Sequence, residues 1–549
     1  MTLKMLFTGL LLSSGLVISA QDTAPENWFN LDPSSGVPGV ATERTYQELL
    51  QNKPAKPVIV AVLDSGVDDQ HEDLKDVMWV NEDEIPGNGI DDDKNGYIDD
   101  IHGWSFLGNK NGTNVVYDNL EVVRQYKKLK AEFADTDPGK LSKKDKARYD
   151  QYKEWEKDIK NEQEKNQQNA LLYGGISQAV SSLQKKINKE VITIQDLENF
   201  QSSEDMLNRA AQVMITLMSE GQTFESIVDE LQEAFDHFYS KVNYHYNVDY
   251  DSRSIVGDNP DNLQERYYGN NDVKGPDADH GTHVAGTIGA NRHNDIGMMG
   301  VADNVRIMSV RTVPDGDERD KDVANAIRYA VDNGASVINM SFGKGQSPNK
   351  DLVDEAVKYA LKNDVLIVHA AGNDANENSS SNNYPNDQYL GKKKTAKNWI
   401  EVGAANWVGG EELPAEFSNY SPKYVDIFAP GVDIYSTTPD NTYKNHQGTS
   451  MAAPVVAGVA ALIRSRFPEL TAVQVKEILL ASTTPVTQKV YIPGTEDLVS
   501  MKDLCVSGGV VNAYKAVQLA QQTKGKKKMP KGAASGSGSS GKNKAAPRA

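Results

Sequence analysis

One cysteine, Cys505, stands among 549 residues, which rules out a disulfide framework and a thiolate metal site. A lone cysteine of this kind reads as a small buried hydrophobe. Long apolar runs are also scarce: one extends from Met5 to Ile18, and nothing later approaches the ~20 apolar residues a spanning helix needs. Positive charge is short as well, with 58 Lys and Arg against 77 Asp and Glu, a net −19. Eight of those basic residues lie in 521–549, which holds no acid, so the rest of the chain is more acidic still. That balance argues against nucleic acid as a partner and suits a protein kept soluble by like-charge repulsion.

What remains, 38% hydrophobic and 25% charged residues, is the composition of a soluble globular chain. Its length accommodates roughly two to four domains. Lys4, the apolar run and Ser19-Ala20 have the layout of a secretory signal, residues 1–20, cleaved after Ala20. The mature protein is then expected beyond the inner membrane, periplasmic or extracellular, with no integral membrane segment.

Residues 21–57 form a polar, turn-rich extension with a helix expected over Thr42 to Leu50. Val58 to Leu63 is then a continuous β-branched run ending at Asp64, which reads as a strand buried on both faces of a parallel sheet. Similar runs recur at Val305–Val310, Val337–Met340 and Val365–Ala370, separated by helical patterns at Asp322 to Asn333 and Leu352 to Lys362. The alternation predicts an α/β fold with a mostly parallel central sheet, split into 58–106 and 251–520. Between these parts, 107–250 is rich in Lys, Glu and Gln. Its apolar spacing is helical, as at Tyr152, Trp155 and Ile159 after a Ser142-x-x-Asp145 start signal. It reads as an inserted α-helical subdomain that gates or recruits a ligand, or simply packs on itself. The segment 521–549 reads as a disordered basic tail.

Three stretches carry chemistry: Val62-Leu63-Asp64-Ser65-Gly66, Asp279-His280-Gly281-Thr282-His283, and Gly448-Thr449-Ser450-Met451-Ala452-Ala453-Pro454. A serine hydroxyl needs a base to take its proton, and the base needs a third group to hold its tautomer. Ser450 would open the helix Met451 to Phe467, where free amides favour developing negative charge. His280 would open another small-residue helix, and Asp64 would close a buried strand, the edge where open α/β sheets place their sites. His283 and His71 read as packed, structural histidines.

Between Asn81 and Asp100, the residues Asp91, Asp93, Asn95, Gly96, Tyr97 and Asp99 fall at alternating positions of a calcium-loop pattern. Position twelve is His102 instead of Glu, so a bidentate ligand must come from elsewhere. Crowded carboxylates repel without a cation, and calcium, in a structural role, is the expected cofactor. No cofactor is expected for the chemistry itself.

With their Asp, His, Ser order, the three stretches resemble the subtilisin-like serine proteases, the subtilase family, over about 58–106 and 251–517. The resemblance implies a subtilisin-like three-layer fold and a secreted serine endopeptidase acting on proteins or peptides. It implies a triad of Asp64, His280 and Ser450, and Asn373 as the oxyanion-hole side chain. Ser341, Phe342 and Gly343, with Gly372, would line the extended substrate, and Phe342 would narrow a subsite. It also makes Asp73 a calcium ligand, with Asn294 as its partner. The alternatives are an esterase, which would carry G-x-S-x-G, and a non-catalytic binding protein on a protease fold.

Overall fold

The apolar run after Pro57 forms strand β1 (Val58–Asp64), with six of its seven residues buried. Its side chains alternate between two layers: Val60 and Val62 join one apolar cluster, Ala61 and Leu63 the other. A strand buried on both faces needs helices on both faces, and the computed structural model, which describes residues 23–527, has them. The signal-like residues 1–20 and most of the basic tail lie outside the described residues.

Chain order continues through β2 (Gly103–Ser105), β3 (Val305–Arg311), β4 (Val337–Met340), β5 (Leu366–Ala370), β6 (Trp399–Ala405) and β7 (Ile427–Pro430). There follow the hairpin of β8 (Ile434–Thr438) and β9 (Thr442–His446), then β10 (Thr484–Pro485), the hairpin of β11 (Lys489–Tyr491) and β12 (Leu498–Ser500), and β13 (Gly509–Val510). The central sheet runs β10-β13-β7-β6-β5-β4-β1-β3-β2, parallel throughout except β10 with β13. Strand β1 pairs with β3 on one side and β4 on the other, so the strand order reverses at β1. A crevice opens outside the carboxyl ends of strands at such a reversal, and Asp64 is the last residue of β1.

Helices Asp279–Gly289, Thr449–Arg466, Ala472–Ala481 and Ala513–Gln522 cover one face, and Asp320–Asp332 with Lys350–Lys362 the other. Within Thr449–Arg466 every residue except Ser450 is buried. A helix apolar on all sides belongs at the centre of a large core, and here it leaves one hydroxyl at its open end.

The inserted α-helical subdomain contains helices Glu121–Phe133, Lys143–Ile187, Asp205–Ser219 and Phe224–Ser240, with an apolar cluster of its own around Leu183, Met214 and Ile227. The Ser142 hydroxyl caps the long helix by accepting from Asp145 N–H at 3.2 Å. Where the chain leaves and rejoins the sheet, Ser105 and Asn270 exchange two backbone hydrogen bonds of 2.8 and 3.0 Å. The first helix is anchored by buried charge. Arg124 meets Glu121 at 2.6 Å, Arg319 meets Asp118 at 2.8 Å, and Lys344 meets Asp320 at 2.9 Å and Glu121 at 3.4 Å. Burial alone would raise the Asp118 carboxyl, but Arg319 and Arg124 hold it at about 2. Removing one partner of such a buried pair typically costs ~3–5 kcal/mol, since the other charge stays buried alone.

Candidate active site

The Asp64 carboxylate is buried; its Oδ1 accepts from Ser65 N–H at 2.8 Å and lies 2.7 Å from His280 Nδ1. The two residues are 216 apart in the chain. Close seating of the His280 helix depends on Gly281, where a Cβ would stand 2.1 Å from the Gly66 carbonyl oxygen and 3.1 Å from Asp64 Cβ. Burial works to lower the His280 pKa, but the charge and hydrogen bond of Asp64, with Asp279 and Asp277 nearby, raise it above 6.5.

His283 is turned the other way. Its Nε2 lies 2.7 Å from the Ile434 carbonyl oxygen, its ring stacks on His446 at 4.4 Å, and burial first, then His446, pushes its pKa down to about 3. His71 is also buried, its Nε2 3.1 Å from the Thr442 carbonyl oxygen.

Ser450 sits in the first turn of its helix, just after Gly448 at φ 149°. Its Oγ donates to the Ser341 carbonyl at 3.0 Å, while Ser341 Oγ donates to the Ser450 carbonyl at 2.8 Å. Asn373 follows β5, and its Oδ1 accepts from Thr449 N–H at 2.8 Å and Thr449 Oγ at 2.9 Å. Thr449 Oγ in turn accepts from Gly372 N–H at 3.0 Å. With Oδ1 fixed in this way, Nδ2 is the free end of the Asn373 amide. A Cβ on Gly448 would stand 3.3 Å from Asn373 Nδ2 and 3.6 Å from Ser450 N, so two donors border one small space that glycine leaves open. The sequence reading missed Thr449, although it sits inside the quoted serine motif.

The chain belongs to the subtilase family. The subtilase family model matches residues 55–512, which hold every residue of this arrangement. Subtilisin DY of Bacillus licheniformis is 38% identical over 215 residues, 39% of this chain and 73% of that protein. The thermophilic serine proteinase of Bacillus sp. (strain AK1) is 43% identical over 188 residues, 34% of this chain and 43% of that protein. For subtilisin E of Bacillus subtilis (strain 168) the match spans 52% of that protein. The solved prenylagaramide maturation protease PagA is 30% identical, covering 45% of this chain and 83% of that chain, with a TM-score of 0.36.

In this subtilase, Phe342 packs inward. Side chains alternate along an extended strand. Ser341 faces Ser450, so the Phe342 ring goes inward, 8% exposed and edge-on to His369 at 6.3 Å. It belongs to an apolar core cluster.

The acidic loop is also arranged differently from its spacing. Glu84, Asp93 and Asp100 bring carboxylate oxygens within 4.8 Å of one another. Glu84 accepts from Asp92 N–H at 2.8 Å and Asp99 N–H at 3.0 Å, Asp91 from Asn95 N–H at 3.0 Å and Gly96 N–H at 2.9 Å, and Asp99 from Asn88 N–H at 3.2 Å and Gly89 N–H at 2.9 Å. Asn95 Nδ2 bridges Asp93 and Asp100 at 2.9 and 3.1 Å, while Tyr97 is buried among aromatic rings. Burial raises the Asp100 carboxyl to about 6, against hydrogen bonds from Tyr329, Asn81 and Asn95. Asp73 serves another loop. Its Oδ1 accepts from Asn294 Nδ2 at 2.7 Å and its Oδ2 from Met298 N–H at 3.1 Å, and burial raises its pKa.

Proposed function

We propose that this subtilase is a secreted serine endopeptidase that hydrolyses peptide bonds in proteins through an acyl-enzyme. The observation that carries the reading is the combination of three features: the 2.7 Å pair of Asp64 with His280, the half-buried Ser450 at the start of an otherwise buried helix, and two donors around the Gly448 space.

Asp64 keeps the proton of His280 on Nδ1, leaving Nε2 to accept. Ser450 turns about its Cα–Cβ bond from the Ser341 carbonyl toward Nε2, loses its proton to it and attacks the substrate carbonyl. Hydrogen bonds of this kind tighten when substrate arrives. The tetrahedral oxygen takes the Gly448 space, where Asn373 Nδ2 and Ser450 N–H donate to it. His280 then gives the proton to the leaving amine, and water repeats the sequence on the acyl-enzyme. The backbone of Ser341-Phe342-Gly343 offers an edge to which an extended substrate adds as a strand. Fluorophosphonate labelling of Ser450 together with cleavage of a peptide library tests this reading, and a chain that does neither overturns it.

Asn373→Leu should lower kcat by ~10²–10³-fold with KM little changed, because its amide meets the oxygen only as charge develops. Gly448→Ala should do the same by filling the space. Steady-state kinetics on one peptide decide it; a loss confined to KM would assign both residues to ground-state binding.

Calcium belongs to the same proposal as a structural cation in the acidic loop. Glu84, Asp93 and Asp100 supply an all-oxygen set that suits a hard cation. Glu84 and Asp100 join Asp93 as candidate donors beside those that the spacing assigned to Asp91 and Asp99. Proton and cation compete for these carboxylates. The raised Asp100 pKa itself favours the folded, calcium-free chain below the unfolded value of 3.8, a contribution lost as pH rises through about 6. Calcium at a large excess over its dissociation constant should therefore raise Tm by roughly 2–4 °C at pH 8. The increment should shrink as pH falls through about 6. Thermal melts with calcium or chelator at both pH values measure it, and equal increments would remove Asp100 from the site.

A further inference from the structure

Strand β1 lies between β3 and β4, with Asp64 opposite Arg311 and Leu63 opposite Met340. It ends at Asp64, but the chain runs on past the ends of both neighbours, through 312–318 on the β3 side and Ser341 to Lys344 on the β4 side. Adjacent strands are about 4.8 Å apart, so these two segments start about 9.6 Å apart and flank a slot one strand wide. The paired contacts of Ser341 with Ser450 put the nucleophile at its near end.

Backbone groups of successive residues in an extended segment point to opposite sides. On the β3 side Asp315 turns outward, giving its N–H to the Val116 carbonyl at 2.8 Å and accepting from Asp118 N–H at 2.9 Å. Gly316 and Glu318 therefore turn toward the slot. On the β4 side Lys344 turns outward, exchanging backbone hydrogen bonds of 2.9 and 2.8 Å with Tyr384, which leaves Gly343 facing in. The far end is already occupied. The Lys344 side chain crosses from one wall to the other, and its Nζ donates to the Glu318 carbonyl at 2.6 Å. Asp320 at 2.9 Å holds the ammonium from the far wall, Glu121 at 3.4 Å holds it from the inserted subdomain, and the side chain is 1% exposed.

We propose that Lys344 is a specificity-determining crossbar that ends substrate recognition after three residues on the acyl side of the scissile bond. The proposal rests on the endopeptidase reading above, which lays substrate along the three residues Ser341, Phe342 and Gly343. In that register the residue bearing the scissile carbonyl lies by Ser341, and the third residue upstream lies by Gly343. A fourth residue would need an acceptor on the opposite wall, the Glu318 carbonyl, and space for its own side chain. Lys344 takes both. Displacing it would strip a buried ammonium from two carboxylates, a penalty that one added substrate residue does not offset. The substrates favoured are short peptides and short exposed loops, because three extended residues before the cut suffice. Through Glu121 the inserted subdomain keeps the crossbar in place.

The test uses acetylated peptides with one fixed sequence after the scissile bond and two, three, four or five residues before it, the fourth being Gly or Phe. Values of kcat/KM are normalised to active sites titrated by a fluorophosphonate. In the wild-type chain kcat/KM should rise up to three residues and then stay within about twofold, with Gly and Phe alike at the fourth position. Lys344→Ala is made together with Glu121→Gln, which keeps the buried charge balanced. In that double variant the five-residue peptide with Phe should gain at least about tenfold over the three-residue one, from one regained hydrogen bond and one buried ring. A larger wild-type gain beyond three residues overturns the inference while leaving the endopeptidase reading intact. So does an unchanged length profile in a double variant that melts cooperatively, and if that variant does not fold the wild-type series decides alone. A wild-type chain that neither labels nor cleaves any of the peptides overturns the endopeptidase reading and this one with it.

Discussion

Ser450→Ala is expected to lower kcat/KM by about 10⁶-fold, the order found when a triad of this kind loses its nucleophile, and to abolish fluorophosphonate labelling. The fold should persist. The Ser450 hydroxyl makes a single hydrogen bond, to the Ser341 carbonyl, while every other residue of Thr449–Arg466 stays buried. One such bond contributes about 1 kcal/mol, so the melting temperature should move by only a few degrees. Peptide hydrolysis, labelling and thermal melts on the same sample separate lost chemistry from lost structure. Retained hydrolysis in a folded Ser450→Ala chain would falsify the mechanism.

Asp64→Asn should cost about 10⁴-fold in kcat. Asp64 Oδ1 receives both Ser65 N–H and His280 Nδ1. An asparagine with its oxygen in that place keeps both bonds but loses the charge that stabilises the protonated ring. Turned over, it gives up the Ser65 bond and sets an N–H against the ring, which leaves the His280 proton on Nε2, unable to accept from Ser450. The pH profile carries a second signature. The base works when neutral, so kcat/KM rises with pH through the His280 pKa, which Asp64 helps to hold above 6.5. Without that charge the acidic limb should shift to lower pH. An unshifted limb with full kcat would mean that Asp64 neither orients nor charges the histidine.

Much of this site was legible in the sequence because its parts are local. A buried β-branched run ending in Asp64, a small-residue helix opened by His280 and a Gly-Thr-Ser turn each announce themselves within a few residues, and each lies at the edge of the expected element. Contacts set by chain closure were not legible. The alternating spacing that pointed to Asp91 and Asp99 could not reveal that Glu84, outside that pattern, would come within reach of Asp93 and Asp100. Phe342 follows from strand alternation only once Ser341 is known to face Ser450.

The paired backbone bonds between Ser105 and Asn270 also bear on how the catalytic parts come together during folding. Closing a flexible loop costs more entropy as it lengthens, and non-local contacts of high sequence separation slow folding. The inserted subdomain has its own apolar cluster and can gather from local helical contacts, after which Ser105 and Asn270 lie side by side. From then on, the path from Asp64 to His280 consists of the two stretches 64–105 and 270–280 in place of the full 216 residues. On the logarithmic scaling of loop closure this lowers the cost of that encounter by about 1 kcal/mol. The insertion then works as a clasp, and cutting it at a single point should slow refolding more than it lowers the activity of chains already folded.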